Sequence, residues 1–527
     1  MPKKPKPRAQ VASDPISPMS ARDNGLGRWQ RGYVALAAFL SGASMMVLEL
    51  VASRVLAPVF GNTVFLWTCV IGIILAALSA GYWLGGELAD RRPGLAALST
   101  AFTAAGLAVA LVPMLSRAVL AWSGKDSGPV GGPLIAALLL FFAPSLLFGV
   151  ISPIAVKLAA NAGSKVGRAA GAVSALSALG SILGTFAAGF ILIPMAGSRS
   201  ILWGVAATSI VLAALGFLLQ KRRPAKSALA AVVVIVALSA GEPAVDANDH
   251  NVVFDKQTFY HRIRVKEQSF GSRTLRLLML DTTDEGAMFL NDPEMPFVYT
   301  RYIDVADLFV KDPLSALFIG GGAYSMPKHF VDKHEKGFAH VFELDPEVAA
   351  VGRRFFEVGR FDRITNRTGD ARRLLRQTPD RYDVIFGDAY NGIRWIPFHL
   401  ATREYFDLVR SHLTDRGVYM TNIISSVDGA GSSFFRATAS TLRTIFPEIY
   451  VFATGSDPRH PQNLILVCPT QARRLSPDDV ERAGNELGMA SLTQSIVAPA
   501  VYQSGLSDSH VITDDYAPVE MLVSAGR

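Results

Sequence analysis

Cys69 and Cys468 are the only two cysteines in 527 residues. One lies in an apolar stretch and the other in a strand-like run, so a disulfide between them is not expected and the redox compartment stays open. Charge is scarce as well, at 18% of residues. The net charge of +7 is carried largely by short clusters at 3–8, at Arg91 and Arg92, and at 221–226, each beside an apolar segment. That placement is the topogenic pattern of a membrane protein. A nucleic-acid partner is not expected, since it would require a basic face on the soluble part. No cleavable signal opens the chain, because residues 1–31 are rich in Pro, Lys and Arg with little to bury and read as a disordered basic tail. No metal site is expected.

What the chain has in abundance is apolar sequence. Half of its residues are hydrophobic and the mean hydropathy is +0.30, with the excess concentrated in the N-terminal half. The length exceeds what one core usually supports, so two unlike domains follow. Apolar segments occupy 33–51, 64–84, 95–115, 134–158, 170–195, 201–219 and 228–240. The first six approach or exceed the ~20 residues a spanning helix needs, while the seventh is short. Gly, Ala and Ser are frequent within them, as at 175–189, which suits close helix packing in lipid.

Counting Lys and Arg in the short loops puts the N-terminal tail, Arg91 and Arg92, 157–168 and 221–226 on the cytoplasmic side. Arg54, Arg117, Lys125 and Arg199 are left for the other side. The N-terminus is then cytoplasmic and the sixth helix returns to the cytoplasm. If the seventh segment spans, the soluble domain is extracytoplasmic; if it lies in the interface, the domain is cytoplasmic. The order of a basic run, an apolar run and the acidic 242–249 favours spanning. Glu49 and Arg54 stand about one and a half helical turns apart and read either as a functional intramembrane carboxylate or as an interfacial ion pair that orients the helix. The run from Gly85 to Arg92 is similar to a cytoplasmic loop motif of major facilitator transporters, a pattern that many positive-inside loops share.

After Asn251 the pattern changes. Short runs at 260–265 and 275–280, separated by Phe270, Gly271, Ser272 and Arg273, read as a β-hairpin. Strand signals at 316–319, 339–342, 384–386 and 418–424 then alternate with helical stretches such as 346–359 and 402–413. This alternation predicts a doubly wound parallel sheet, in which ligands sit at the carboxyl ends of the strands. Gly320, Gly321 and Gly322 follow the first of those strands and let the backbone approach a ligand closely. Glu343 falls 21 positions after Gly322, at the next strand end, from which an acid accepts hydrogen bonds from ribose hydroxyls. Asp370 follows Gly369, and Asp388 ends the strand at 384–386. Each acid alone reads as a helix N-cap, which fits Asp345 and Asp370. It fits Glu343 and Asp388 poorly, and three acids at successive strand ends describe a nucleoside site.

Segments 314–330, 340–345, 368–370, 383–392 and 402–406 together resemble spermidine synthases, the polyamine aminopropyltransferase family, and the preceding helices resemble its bacterial membrane members described as fused transporter and spermidine-synthase-like. The likeness runs from about Asn251 to the C-terminus, and 511–522 is similar to the end of that fused group. It implies a multi-pass α-helical membrane domain followed by an α/β Rossmann-like (methyltransferase-type) domain with a small N-terminal β-hairpin region. The bounds expected are 1–31 for the tail, 32–242 for six to seven transmembrane helices, 243–312 for a linker and small β subdomain, and 313–527 for the catalytic domain. The likeness further implies that Glu343 binds ribose, that Asp370 contacts adenine, that Asp388 deprotonates the attacking amine, and that Tyr299 lines the site.

Departures from the family pattern are equally informative. The acid that follows the three glycines in the family is Ala323 here, and the second acid of its Asp-x-x-Asp is Asn391 in Asp388-Ala389-Tyr390-Asn391. A hairpin Gln corresponds to His261, the residue after the tyrosine to Thr300, and a late substrate-lining Tyr to His460. The retained residues cluster on the nucleoside, and the changed ones on the aminopropyl tail and the acceptor. No prosthetic group is expected; S-adenosylmethionine or its decarboxylated form is the implied co-substrate. Aminopropyl transfer to an amine such as a polyamine leads. Lyase cleavage to methylthioadenosine and homoserine lactone, methyl transfer, and a transporter or sensor with a nucleoside-binding domain stay open. The implied setting is the bacterial inner membrane. An extracytoplasmic domain would stand away from the usual pool of S-adenosylmethionine. The lipid bilayer is the expected partner, and a homo-oligomer stays open.

Overall fold

In the computed structural model, residues 26–124, 128–162, 165–220, 251–389, 396–489, 492–499, 501 and 509–524 are described. Among the described residues, six helices long and apolar enough to cross a membrane come first. They span Arg28–Phe60, Val64–Arg91, Leu95–Ser123, Gly128–Asn161, Val166–Ala187 and Ser198–Leu219. The fifth runs on through a π-helical turn at Ala188–Leu192. The seventh apolar segment and the basic run before it lie outside the described residues, as does most of the N-terminal tail.

Small residues set the helix spacing, as the composition of 175–189 leads one to expect. A Cβ added to Gly180 would fall 1.9 Å from the Phe39 carbonyl oxygen, and one on Gly42 would fall 2.1 Å from that of Ser177. The first and fifth helices therefore touch backbone to backbone. Large apolar side chains point outward: Trp83 is 70% exposed, Phe190 73% and Val211 63%. Among the described residues Arg54 pairs with no acid. Its guanidinium donates to the carbonyls of Tyr260 at 3.1 Å and Phe259 at 2.6 Å, which replaces the expected ion pair with Glu49 by a grip on the soluble domain.

The two ends of the bundle are distinct. At one, Gln30 donates to the Leu219 carbonyl, and Lys157 pairs with Asp90 at 2.8 Å. The opposite end carries Pro58, which accepts from Thr282 at 2.7 Å, and Val64, whose N–H donates to Glu520 at 3.2 Å. The α/β domain sits on this second end, although the sixth helix ends at the first.

That domain begins with a four-stranded antiparallel sheet of β1 (Val252–Gln257), β2 (Arg262–Phe270), β3 (Arg273–Leu280) and β4 (Thr283–Phe289). The expected hairpin is β2–β3, which turns at Gly271 with φ +61. A seven-stranded sheet follows, built from β5 (Ser315–Ile319), β6 (Phe338–Glu343), β7 (Ile364–Thr368), β8 (Tyr382–Gly387), β9 (Leu413–Ser425), β10 (Tyr450–Ala453) and β11 (Gln462–Pro469). Its order is β10-β11-β9-β8-β5-β6-β7. Strands β5 to β9 pair in parallel, but β11 pairs antiparallel with both β9 and β10. The four strands expected to be parallel are so, and β11 and β10 add an antiparallel edge that makes the sheet mixed. Only residues 454–461 separate β10 from β11, too few for the crossover that parallel strands require.

Candidate functional site

Strand β5 is five buried residues long, and its end is shaped by glycine. Gly320 has φ +96, and a Cβ there would meet the Asp388 carbonyl oxygen at 2.3 Å, so the turn and the end of β8 pass too close for any side chain. The Asp388 N–H donates to the Ile319 carbonyl at 2.9 Å and fixes that approach. Glu343, at the end of the neighbouring β6, has Oε2 accepting from the Gly321 N–H at 2.8 Å and Oε1 accepting from the Asp345 N–H at 3.0 Å. It is 8% exposed, and burial raises its pKa above the ordinary carboxylate value. Each oxygen keeps a lone pair for a hydroxyl.

Asp388, at the end of β8, has both carboxylate oxygens engaged. Its Oδ1 accepts from Asn422 Nδ2 at 2.9 Å and its Oδ2 from the Tyr299 hydroxyl at 3.0 Å. Burial pushes its pKa up to about 6 despite those two donors. Asn422, on β9, is held in turn by Asn463 of β11, which donates to it at 3.0 Å. Buried beside this carboxylate, the Tyr299 phenol is raised well above its usual value and stays a donor.

Asp370 and Asp345 are both helix caps. Asp370 accepts from the Arg373 N–H at 2.8 Å through one oxygen and meets His399 Nε2 at 2.8 Å through the other; that imidazole, with the cap, holds its carboxyl below the ordinary value. Asp345 accepts from the Glu347 N–H at 2.9 Å and from the Thr258 hydroxyl.

One pocket collects these groups. Gly320, Gly321, Gly322, Glu343, Asp370, Asp388, Tyr299, Thr300, His261 and Ala323 all line it. His261 is fixed by Asp281 at 3.1 Å, and Thr300 donates to the Phe297 carbonyl at 2.6 Å. Ala323 is 3% exposed and packs on β4, where a Cβ on Gly286 would lie 2.6 Å from its own. Tyr390 and Asn391 lie outside the described residues. His460 does not line the pocket: it stands on an exposed turn, 80% accessible and paired with Asp457 at 2.7 Å. The connection at 454–461 lies beside the carboxyl end of β9, where the Val427 and Asp428 N–H groups donate to the Pro458 carbonyl, but His460 itself stands out in solvent. Four residues escaped the sequence reading: Asn422, Asn463, His399 and Glu285, the last a further acid in the pocket wall. Its carboxylate acts on Tyr299, whose pKa it helps to raise.

Residues 296–460 match the spermine/spermidine synthase domain, and the C-terminal part of the chain carries that domain. Among curated proteins, a polyamine aminopropyltransferase of Vibrio vulnificus is 30% identical over 164 residues, 31% of this chain and 53% of its own length. The chain thus spans about half of that relative. Polyamine aminopropyltransferase 1 of Streptomyces coelicolor is 24% identical over 81% of this chain and 80% of its own, a match long enough to include apolar helices. An eEF1A lysine and N-terminal methyltransferase of Bos taurus is 24% identical over 40% of this chain and 29% of its own.

Proposed function

We propose that this chain is a membrane-bound aminopropyltransferase, which takes the aminopropyl group of an S-adenosyl-type sulfonium nucleoside and passes it to an amine, releasing methylthioadenosine. The observation that carries the reading is Asp388, a buried strand-end acid with a pKa of about 6, held by Tyr299 and Asn422 in the pocket that Glu343 and the glycine turn line. A base must be partly ionised near neutrality and fixed in position to take a proton from an ammonium nucleophile. Asp388 meets both conditions.

In this reading the ribose hydroxyls bind Glu343, the adenine end lies against Asp370 and His399, and the turn at 320–322 lets the nucleoside approach the backbone. The amine nitrogen attacks the propyl carbon beside sulfur and the carbon–sulfur bond breaks. Its electron pair neutralises the sulfonium, and the amine's proton passes to Asp388. Holding the two reactants in line supplies most of the remaining acceleration. Glu285 offers the donor's ammonium tail a charge partner that Ala323 does not.

Methyl transfer is the second reading, favoured by the similarity to a bovine methyltransferase. Mass spectrometry of products distinguishes them. Purified protein given decarboxylated S-adenosylmethionine and putrescine should yield methylthioadenosine and an equal amount of aminopropylated amine. S-adenosylhomocysteine from the intact donor would replace the assignment with methyl transfer. Methylthioadenosine from the intact donor without amine would replace it with a lyase.

The same proposal places the bundle in the bacterial inner membrane with the N-terminus cytoplasmic and the α/β domain outside. Supporting it, Arg91, Arg92, Lys157, Lys165 and Arg168 belong to the bundle end away from the α/β domain, and cytoplasmic loops gather such residues. A cysteine at Ser272 should then react with an impermeant maleimide in intact cells while one at Arg91 stays protected, both on a background lacking Cys69 and Cys468. The reverse pattern would put the domain in the cytoplasm.

A further inference from the structure

Asp388 stands at the head of a row of side-chain amides that crosses the sheet. Its Oδ1 accepts from Asn422 Nδ2 at 2.9 Å, and Oδ1 of Asn422 accepts from Asn463 Nδ2 at 3.0 Å. The sheet register makes the row. Gly387 of β8 pairs with Thr421 of β9, which sets the residues that follow them, Asp388 and Asn422, side by side. Ile465 of β11 pairs with Asn422, and Asn463, two positions along the same strand, shares that face and lies diagonal to it. The strand neighbours Ile423, Leu464 and Ile465 are fully buried, and Asn422 itself is 4% exposed.

An amide has two unlike ends, so its direction matters. With Nδ2 toward Asp388, Asn422 brings a partial positive charge to the carboxylate; turned by half a revolution, it would bring its oxygen there and repel the ionised form. Asp388 favours the first orientation by itself only while it is ionised. Once protonated, it can donate to an amide oxygen, and nothing on its own side then opposes the turn. Asn463 opposes it. Its Nδ2 donates to the Asn422 oxygen, so both amides would have to reverse together. The other oxygen of Asp388 is held more loosely, because the Tyr299 hydroxyl can donate or accept by rotating its proton.

We propose that Asn463 is a positioning residue for the transfer: by fixing the amide of Asn422 it keeps a donor aimed at Asp388 and holds the base in place for the amine's proton. The inference rests on the reading of Asp388 as that base. Other titratable groups reach the pocket from separate elements: Tyr299 from the turn at Val298–Leu308, Glu285 from β4, Glu343 from β6, His261 from the β1–β2 connection, Asp370 from the end of β7 and His399 from the turn at Phe398–Leu400. All of them keep their identity when the amides are changed.

The test reads two quantities in the full-length protein. One is the pH profile of kcat/KM; the other, independent of turnover, is the infrared carboxyl band of Asp388 in protein labelled with carbon-13 aspartate, with Asp388→Asn as the blank. The Asn422 donor lowers the pKa of Asp388, which stands at about 6, so losing that donor raises it and moves the acid limb to higher pH. Asn422→Leu should shift limb and infrared midpoint up by about one unit, a loss of about tenfold below the limb that vanishes well above it. Asn463→Leu should shift both in the same direction by about half as much, and Asn463→Gln, which keeps a donor, by less. Added to Asn422→Leu, Asn463→Leu should shift them no further, since it acts through that amide. Asn463 is only half-buried, so its variants carry the test if Asn422→Leu loses its unfolding transition. An equal loss at every pH in Asn422→Leu, an unmoved midpoint in Asn463→Leu, or a further shift of the same size in the double variant would overturn the proposal. Midpoints that move as stated in a protein that forms no aminopropylated amine would uphold the amide row and overturn the proposed function instead.

Discussion

In the helical bundle the tightest contacts are made by glycine, whereas the interior of the α/β domain is filled by Tyr324, Tyr382, Phe318, Phe342 and Phe386, all fully buried. The bundle buries Phe102 and Phe141 but also carries large apolar side chains on its outside, such as Trp83 and Phe190. A bilayer around the bundle would produce that difference. Water drives large apolar groups inward. Lipid tails do not, so helices in a bilayer gain by close approach, and small residues permit it. Polar groups divide in the same way: the α/β domain gathers a buried carboxylate, its amide donors and a phenol in one place, and the bundle end offers a charged rim.

The largest effect should come from challenging the small-residue contact. Gly180→Leu would have to displace the Phe39 backbone, and the cost should exceed about 4 kcal/mol, enough to abolish a monodisperse peak in detergent. Gly189→Leu, which meets nothing within 4 Å, should keep that peak. Equal behaviour of the two variants would remove the contrast.

Next in size, and on the other side of the comparison, is the buried acid. Asp388→Asn should lower turnover about a hundredfold or more while sparing nucleoside affinity. The sign of the pH dependence follows from the raised pKa: the carboxylate is the active form, so wild-type kcat/KM should fall as pH drops through about 6, by roughly tenfold per unit below it. The variant should lack that limb. A wild-type profile flat from pH 5 to 8 would deny Asp388 the role.

Glu343→Ala should weaken methylthioadenosine binding by about 2 kcal/mol, some thirtyfold, by calorimetry, on the usual cost of a lost charge-assisted hydrogen bond. It also frees the N–H groups of Gly321 and Asp345. The smallest change belongs to the pocket rim, where Asp370 and His399 are both about a third exposed. His399→Ala should raise the same dissociation constant by about threefold, since exposed pairs contribute little. A larger loss would mean that the imidazole itself touches the ligand.

Strand ends were legible in the sequence because a buried parallel strand reads as an unbroken apolar run, and the residue that follows it is marked by glycine or an acid. Gly320, Glu343 and Asp388 could be located in this way before their contacts were known. Asn422 and Asn463 could not. Asn422 follows Thr421 within β9 and Asn463 follows Gln462 at the start of β11, and the partner of each lies 34 or 41 positions away, a pairing that only the sheet order creates. His399 was hidden for a different reason, since it belongs to a short 3-10 turn at Phe398–Leu400 with no periodicity of its own. β7 has a mixed burial pattern, as expected of an edge strand, and gave no clear run. The six long helices were the most legible part, and their bounds moved chiefly outward, as at Arg28–Phe60.

The grip of Arg54 on the Phe259 and Tyr260 carbonyls joins residues separated by 205 and 206 positions. Contacts of such separation form late, after the loop-closure entropy of everything between them has been met. During synthesis the six helices are therefore made before the strands that cover their end, and the contacts of Arg54 can form only once the turn between β1 and β2 has been placed beside them.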